Sequence, residues 1–300
     1  MEALLAPRPQ LLATSHVSRH VRGTLKQSTR TTVDIVVCGI GTIDAAMVTT
    51  LLLAAPDLRP MCVLSVGCAG AHDRKLRSGD VVICTAVVPT ACRMQRSSGL
   101  FEHVGFRTTT QQTARAELPA DEKLLRLARS AAARLELPWW PGADRAPLIC
   151  EGKVGSSDTW VQHVPEIERL HSTLSTLCEE MESAAVARVC DRFSVPFVAI
   201  KEIVNNELLP PSPTAAVESG LGESLNLEQV GLRAAHLAAA IMLELELDLG
   251  PALDVATRAT KPRKPHANVG AQYFVPCGRL ASHTALRCGH SKRSESHGTC

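Results

Sequence analysis

Three glutamates stand close together beside a run of small residues, and their type and spacing suit the binding of a sugar. Glu179, Glu180 and Glu182 precede residues 183–187, whose small side chains favour a helix. Because a helix N-terminus stabilises negative charge, the acids can simply occupy the first helical turn. A carboxylate there can also accept both hydroxyls of a ribose diol, and Glu182 is the candidate for that role.

The elements around these acids also suit a functional site. The predicted helix continues to about residue 193 and is followed, through Pro196, by the apolar run 197–203, which predicts a buried strand. Ligands of open α/β sheets bind outside the carboxyl ends of the strands. We therefore expect the acidic cluster to lie where α/β enzymes keep their polar chemistry.

Two glycine-containing turns follow predicted strands. Gly39 and Gly41 form the first, but position 44 is Asp44, so the three-glycine dinucleotide fingerprint is incomplete. These glycines either serve a tight strand-to-helix turn or bring backbone N–H groups to a phosphate or ribose. The second turn, residues 67–70, contains Cys68, which either lines a pocket or acts as a nucleophile. No histidine stands at a recognisable spacing from this cysteine.

Aromatic residues are rare in the chain, which has three Trp, five Phe and one Tyr, so an aromatic side chain in a polar loop is notable. Trp160 lies in such a loop, residues 156–161. Asp158 and the serines of this loop are typical caps for a helix that begins near Val164. Trp160 can instead form one wall of a pocket that stacks on a nucleobase.

Apolar runs that alternate with helical patterns predict the fold class. The strands are expected at 33–38, 61–66, 80–88, 148–154 and 197–203, and the helices at about 43–54, 120–135, 164–174, 181–193 and 226–246. Strands interleaved with helices indicate a sheet that is covered on both faces. The sequence therefore predicts an α/β protein.

Length and composition narrow the class of protein. Three hundred residues with 45% apolar content suffice for one large α/β domain, or two small ones, with a buried core. A formal net charge of +2 gives no sign of the basic surface that binds nucleic acid, so the expected partner is a small molecule. Eleven cysteines without paired spacing are typical of a reducing, cytoplasmic compartment. We expect no leader and no membrane insertion, because the longest apolar helix, about residues 234–245, is too short to span a bilayer.

The end of the chain differs in character. Residues 255–300 carry eight Lys and Arg against one acid, without a sustained helical or strand period. We expect one domain over residues 1–250 and a basic, disordered tail over 251–300. The spacing of the cysteines and histidines in the tail fits no usual zinc finger, so no metal site is expected. The proline-rich segment 209–213 predicts a mobile loop before the last helix.

Four blocks of the sequence, in order, resemble the nucleoside phosphorylase superfamily. They are SVGCAG at 65–70, SGDVVI at 78–83, MESAAVA at 181–187 and VPFVAIK at 195–201. Within that superfamily the chain is most similar to 5'-methylthioadenosine/S-adenosylhomocysteine nucleosidases, over roughly residues 1–248. The resemblance implies a single three-layer domain with a central mixed β-sheet flanked by helices.

The resemblance also implies a purine nucleoside site. Glu182 would accept the sugar hydroxyls, Trp160 would stack on the base, and the backbone of Val161 would meet the purine. The residues implied to bind substrate are Cys68, Ala69, Gly70, Trp160, Val161, Glu180, Met181 and Glu182.

The chain departs from this family at the two acids that carry its chemistry. The family protonates the purine with an aspartate after the strand at 197–203, where this chain has Asn205. Glu207, two residues further on, is a candidate substitute acid. The acid that positions the attacking water matches Leu4, unless Glu2 serves, and the chain is expected to lack most of the family's first strand. The catalytic candidates are therefore Asn205, Glu207 and Glu2.

The activity that the resemblance implies is hydrolysis of the N-glycosidic bond of a purine nucleoside, such as 5'-methylthioadenosine or S-adenosylhomocysteine, with release of adenine and without a cofactor. Two alternatives stay open: a phosphorolytic enzyme, and a non-catalytic nucleoside-binding or storage protein on the same scaffold. Because relatives assemble as dimers or larger rings, the resemblance also implies a homo-oligomer.

Overall fold

The computed structural model describes residues 5–8, 19–25, 31–56, 58–106, 114–209, 230–259 and 267–273. Its strands are β1 (Leu5–Arg8), β2 (Arg19–Leu25), β3 (Thr31–Val37), β4 (Cys62–Ala71), β5 (Val81–Pro89), β6 (Arg93–Gln95), β7 (Phe101–His103), β8 (Leu118–Pro119), β9 (Ile149–Ser156), β10 (Thr176–Glu180), β11 (Phe197–Asn205) and β12 (Ala267–Tyr273). Its helices are α1 (Thr42–Ala54), α2 (Glu122–Ala132), α3 (Val164–Leu174), α4 (Ser183–Phe193) and α5 (Leu232–Ala259).

Composition explains the buried strands and the amphipathic helices. β4, β5 and β11 are runs of mostly apolar or small residues, and almost all of their side chains are buried, as expected for strands covered on both faces. Helix α2 instead alternates buried and exposed positions and buries Leu124 and Ala128. It begins after Asp121, whose carboxylate accepts a hydrogen bond from the Leu124 N–H.

One mixed sheet organises the molecule. The order of its strands in space is β1-β2-β3-β12-β4-β10-β9-β5-β11, with β8 paired to β5. Because β4 also pairs with β11, the five strands from β4 to β11 in this order close into a ring. β9 runs parallel to β5 and β10, whereas β10 is antiparallel to β4 and β11 is antiparallel to β5. β6 and β7 form a separate hairpin.

Helices cover the sheet on both faces and enclose two apolar cores. One core includes Val48 of α1 and Val186 of α4, and the other includes Leu124 of α2 and Leu237 of α5. The predicted α/β class, a mixed sheet flanked by helices, is confirmed. Within the described ranges, no helix has both the length and the apolar content that a membrane span requires.

The acidic cluster does not open a helix. Glu179 and Glu180 belong to strand β10, and α4 begins only at Ser183, with no acid in its first turn. The predicted helical placement of these two acids is wrong, because β10 pairs with β9 on one side and β4 on the other. Pairing between strands that are distant in sequence overrides the local preference of the acidic run.

The structure also differs from expectation near the end of the chain. Helix α5 continues to Ala259, past the boundary predicted at residue 250, and β12 lies between β3 and β4 within the segment expected to be disordered. Residues 260–266 and 274–300, which include Cys277, His283, Cys288 and His290, lie outside the described residues, as does most of the proline-rich segment. The division into a domain and a tail stays a prediction.

Candidate functional site

The glycine turn after β3 brings its backbone to the Glu182 carboxylate. Gly39 and Gly41 have φ values of 96° and 97°, a left-handed region that glycine adopts at little cost. A Cβ atom at Gly41 would lie 2.9 Å from Oδ1 of Asp158, so the turn needs glycine for space as well. The Gly41 N–H donates a 2.8 Å hydrogen bond to Oε1 of Glu182. The turn thus fixes one oxygen of a candidate ligand-binding carboxylate.

Asp158 holds the start of α1. Its Oδ1 accepts a hydrogen bond from the Thr42 N–H at 2.6 Å, and its Oδ2 accepts one from the Thr42 hydroxyl at 2.5 Å. The predicted cap of α3 by this loop is wrong, since α3 begins after His163 and has no side-chain cap. The reason is tertiary: the Asp158 carboxylate points to a helix that lies 116 positions earlier in the chain.

The buried Glu180 carboxylate holds the start of α4. Its Oε2 accepts hydrogen bonds from the Ser183 hydroxyl at 2.9 Å and from the Glu182 N–H at 3.2 Å. The same oxygen lies 2.8 Å from the Lys201 ammonium, which is fully buried and also donates to the Ser65 hydroxyl at 3.2 Å. Because these donors engage its carboxylate, Glu180 orients the segment that carries Glu182.

The Glu182 carboxyl titrates near neutral pH. Burial disfavours its charged form and raises the pKa of Glu182 to about 7, and the negative charge of Glu180 adds to this rise. Burial also works against the charge on Lys201, but the charges of Glu180 and Glu182 hold the pKa of Lys201 above its ordinary value. The site therefore keeps a permanent cation beside a carboxyl that can gain or lose its proton.

The end of β4, residues 68–70, forms a floor in the site. Cys68 and Gly70 are half-buried on one face of the strand, whereas Ala69 points the other way, into the core under α1 and α4. Gly70 pairs with Asn205 of β11 on one side and with Glu179 of β10 on the other. A Cβ atom at Gly70 would lie 3.2 Å from Nδ2 of Asn205, so glycine leaves room for the carboxamide over the floor.

The Cys68 thiol lines this floor in its protonated form. Burial raises the pKa of Cys68 to about 11, and the Lys201 ammonium only partly opposes that rise. The charge of Glu182 raises the pKa further. Because the thiolate is the nucleophilic form, this environment favours the pocket-lining role of the two that the sequence leaves open.

Asn205 and Glu207, two predicted catalytic residues, lie side by side. Nδ2 of Asn205 donates a 3.0 Å hydrogen bond to Oε1 of Glu207. Asn205 is buried and Glu207 is half-buried. Asn205 can donate a hydrogen bond but has no proton to transfer, whereas a protonated Glu207 has one. Glu2, the third candidate, and Leu4 lie outside the described residues.

The loop after β9 runs along the acidic segment and presents the indole of Trp160. The Ser157 N–H donates to the Glu180 carbonyl at 3.1 Å, and the Val161 N–H donates to Oε1 of Glu179 at 2.8 Å. Trp160 is 58% exposed, so much of its ring is open to a planar ligand. Trp160 and Val161 line a cavity of about 390 Å³.

The sequence did not reveal the roles that three residues play in building this site. Lys201 stabilises the acids, Asp158 fixes the glycine turn, and Glu179 holds the Val161 N–H. A charged residue inside the apolar run 197–203 was the available signal for Lys201, because a buried lysine needs a partner. Met181, between Glu180 and Glu182, is half-buried, and its contact with substrate stays a prediction.

Comparison with known proteins identifies the family to which the chain belongs. A model described as the phosphorylase superfamily matches residues 5–245 of the chain. The 5'-methylthioadenosine/S-adenosylhomocysteine nucleosidase of Geobacillus kaustophilus (strain HTA426) is 32% identical over 212 residues, covering 68% of this chain and 76% of that protein. The protein of the same name from Bacillus subtilis (strain 168) is 28% identical over 226 residues, covering 73% and 84%.

Solved structures agree in fold. A 5'-methylthioadenosine/S-adenosylhomocysteine nucleosidase from Colwellia psychrerythraea 34H, in complex with adenine, superposes with a TM-score of 0.55 at 21% identity, covering 75% of this chain and 82% of that chain. The futalosine hydrolase of Helicobacter pylori strain 26695 gives a TM-score of 0.53 at 20% identity, covering 77% and 84%. At these identities the likeness concerns the fold.

Proposed function

Because the chain belongs to the phosphorylase superfamily, we propose that it hydrolyses the N-glycosidic bond of a purine nucleoside, such as 5'-methylthioadenosine or S-adenosylhomocysteine, and releases adenine. The observation that carries this proposal is the buried Glu182 carboxylate, which is held by the Gly41 N–H and whose charge acts on the Cys68 thiol. The names of the relatives support the same substrate class.

The sugar is proposed to lie against Glu182. One carboxylate oxygen accepts the Gly41 N–H, and the lone pairs that remain can accept the two hydroxyls of a ribose. Cleavage passes through a sugar that resembles an oxocarbenium ion, so negative charge nearby stabilises the transition state. Glu182 therefore both orients the sugar and favours its developing positive charge, while Met181 and Cys68 complete the wall and floor.

The base is proposed to lie between Trp160 and Gly70, with Asn205 at its edge. The leaving purine carries negative charge and departs faster when it is protonated or hydrogen-bonded. Asn205 supplies a hydrogen bond, and Glu207, which accepts from Asn205, is the proposed proton donor. Glu2 stays the candidate for positioning the attacking water.

Hydrolysis is favoured over phosphorolysis by the contacts at the start of α1. A helix N-terminus after a glycine turn is a common site for phosphate. Here the Gly41 and Thr42 N–H groups already donate to the carboxylates of Glu182 and Asp158, which would repel a phosphate. The Arg74 guanidinium, a cation three residues after β4, is engaged with Glu168 and the Leu208 carbonyl.

A non-catalytic nucleoside-binding protein is the second candidate, and Asn205 is the observation in its favour. Losing a general acid costs about 10²- to 10⁴-fold in rate. If Glu207 does not replace that acid, the pocket binds a nucleoside without cleaving it at a useful rate. The small-molecule partner is the same under both proposals.

The assembly and compartment are proposed in the same way. Side chains of α1 and of the preceding turn that are apolar and exposed, among them Ile40, Ile43 and Met47, support a homodimer or a larger homo-oligomer. All cysteines of the described ranges carry free thiols, which supports a reducing, cytoplasmic compartment.

One incubation separates these proposals. Full-length protein is mixed with 5'-methylthioadenosine in buffer with and without phosphate, and free adenine and the sugar product are measured by chromatography. Adenine release that does not require phosphate, with a free reducing sugar, is the expected result. Release only with phosphate would select the phosphorolytic alternative. Binding measured by calorimetry without any release would select the binding protein.

A further inference from the structure

Glu179 is a buried acid at the proposed base site, and the proposed mechanism gives it no role. It is 7% exposed, and its strand position pairs with Gly70, whose other partner is Asn205. Paired residues of neighbouring strands point to the same face of a sheet. Glu179 and Asn205 therefore flank the Gly70 floor, one strand to either side, on the face proposed to receive the base.

The contacts of Glu179 fix its carboxylate at that position. Oε1 accepts the hydrogen bond from the Val161 N–H at 2.8 Å, next to Trp160. Oε2 lies 3.5 Å from Nε2 of His72, a side chain that is 1% exposed and whose Nδ1 lies 2.8 Å from the Thr176 hydroxyl. Among the described residues, Nε2 of His72 makes no hydrogen bond. At the proposed base site, the Glu179 carboxylate therefore accepts the Val161 N–H at one oxygen and lies near the His72 ring at the other.

A carboxylate at a base edge discriminates by hydrogen-bond polarity. An ionised carboxylate only accepts hydrogen bonds, so it attracts N–H groups and repels bare ring nitrogens. The Val161 N–H already donates to Glu179. A purine whose ring nitrogen N1 must accept a hydrogen bond from this N–H therefore has to displace the Glu179 carboxylate. Adenine has a bare N1, whereas a 6-oxopurine such as hypoxanthine carries an N1–H that can donate to Oε1 or Oε2.

We propose that Glu179 is a base-recognition residue and that it extends the substrate class to 6-oxopurine nucleosides of the inosine type. The proposal rests on the proposed function, because it places the purine between Trp160 and Gly70. The site then accepts hypoxanthine nucleosides at least as readily as adenine nucleosides, and the carboxylate of Glu179 is the cause.

The test compares two substrates that differ only at the base edge. The ratio of kcat/KM for 5'-methylthioinosine to kcat/KM for 5'-methylthioadenosine is measured for the full chain, for Glu179→Gln and for Glu179→Leu. A hydrogen bond to a charged group predicts that both variants lower this ratio roughly 10- to 100-fold. Glu151→Gln, which removes an acid from an exposed ion pair with Arg129, is the control and should leave the ratio unchanged.

Equilibrium binding of the free bases gives a second measurement that needs no turnover. Hypoxanthine and adenine are titrated into the same proteins by calorimetry, with circular dichroism to confirm that each variant is folded. Hypoxanthine should bind the unaltered chain at least as tightly as adenine and lose affinity selectively in both variants. That result sustains the role of Glu179 even if no nucleoside is cleaved, in which case the proposed hydrolysis alone fails.

The opposite results overturn the inference. Cleavage of 5'-methylthioadenosine with the substrate ratio below one in the unaltered chain would retain the proposed function and remove the role of Glu179. An unchanged ratio and unchanged base affinities in both Glu179 variants would do the same. Absence of binding by either base would remove the base site and, with it, both proposals.

Discussion

At the scale of single residues, the raised pKa of Glu182 predicts that nucleoside binding depends on pH. Burial and the charge of Glu180 raise its pKa to about 7, so at about pH 6 most molecules hold a neutral carboxyl, which accepts hydroxyl hydrogens more weakly. Affinity for a nucleoside should therefore rise roughly tenfold between about pH 6 and pH 8 and then level off. Calorimetric titration with a C-glycosidic adenosine analogue, which cannot be hydrolysed, measures this profile.

The Glu182→Gln substitution removes the charge of this side chain and keeps its shape. The amide can still accept the Gly41 N–H, but it has no proton to lose in this range. We expect affinity at about pH 8 to fall roughly 10- to 100-fold and the pH dependence to disappear. A Gln variant that keeps the profile of the unaltered chain would show that another group controls binding.

Because Asn205 has no proton to transfer, we expect that a single substitution at this position can raise the activity of the chain. Asn205→Asp places an ionisable proton over the Gly70 floor, and a general acid contributes about 10²- to 10⁴-fold, so kcat for adenine release should rise while KM changes little. Glu207→Gln should lower kcat by a similar factor in the unaltered chain. If the double variant, Asn205→Asp with Glu207→Gln, is as slow as Glu207→Gln alone, Asn205 does not occupy the acid position.

The sequence indicates individual site residues better than it indicates their partners. Glu182, Trp160 and the glycine at 70 stand out by type, because a carboxylate beside a helix, a rare aromatic and a strand-end glycine each suggest a role by themselves. The roles of Asp158 and Glu179 are not visible in this way. Asp158 holds a helix 116 positions away, and Glu179 is placed opposite Gly70 by a strand pairing that the sequence does not specify.

At the scale of elements, the ion pair between Glu180 and Lys201 joins the end of β10, just before α4, to β11. Both side chains are buried, so removing one partner leaves an uncompensated charge. Lys201→Met should lower the free energy of unfolding by roughly 3–5 kcal/mol, measured by urea denaturation. The matched control is Lys153→Met, which breaks an exposed ion pair with Glu117 and should cost less than about 1 kcal/mol.

A double variant decides whether the charge is the cause. Adding Glu180→Gln to Lys201→Met removes the unpaired carboxylate and should recover part of the lost stability. If the two losses simply add, the cost of Lys201→Met comes from packing rather than from the ion pair.

Elements were predictable where the local pattern was strong. The runs that became β4, β5 and β11 consist mostly of apolar or small residues, and α3 lies at the predicted residues 164–174. Strand β10 escaped prediction because it has five residues, two of them glutamates, and a small-residue helix follows it at once. Its pairing with β4 and β9 decides its conformation, and pairing partners are not a local property of the sequence.

At the scale of the whole molecule, residues far apart in the chain meet in one sheet. β12, from residues 267–273, lies between β3 and β4 and runs parallel to both. The basic composition around it gave no strand period, so the sequence predicted disorder there. Strand pairing uses backbone N–H and C=O groups, which every residue except proline carries, so pairing by itself leaves little trace in composition.

An exposed apolar face predicts how copies of the chain assemble. Ile43 is 81% exposed on α1, and it borders a groove of about 860 Å³ between α1 and α4. Large exposed apolar patches are uncommon on monomers and mark association surfaces. We expect the unaltered chain to sediment at twice the chain mass or more at micromolar concentration.

Ile43→Glu tests which face forms that assembly. A charge at the centre of a buried interface is costly to desolvate, so this variant should sediment as a monomer while keeping its circular dichroism spectrum. Leu247→Glu is the matched control, because Leu247 is 74% exposed on α5, which packs on the opposite face of the sheet. If both variants stay associated, α1 is not the contact; if only the Leu247 variant dissociates, the assembly uses the α5 face instead.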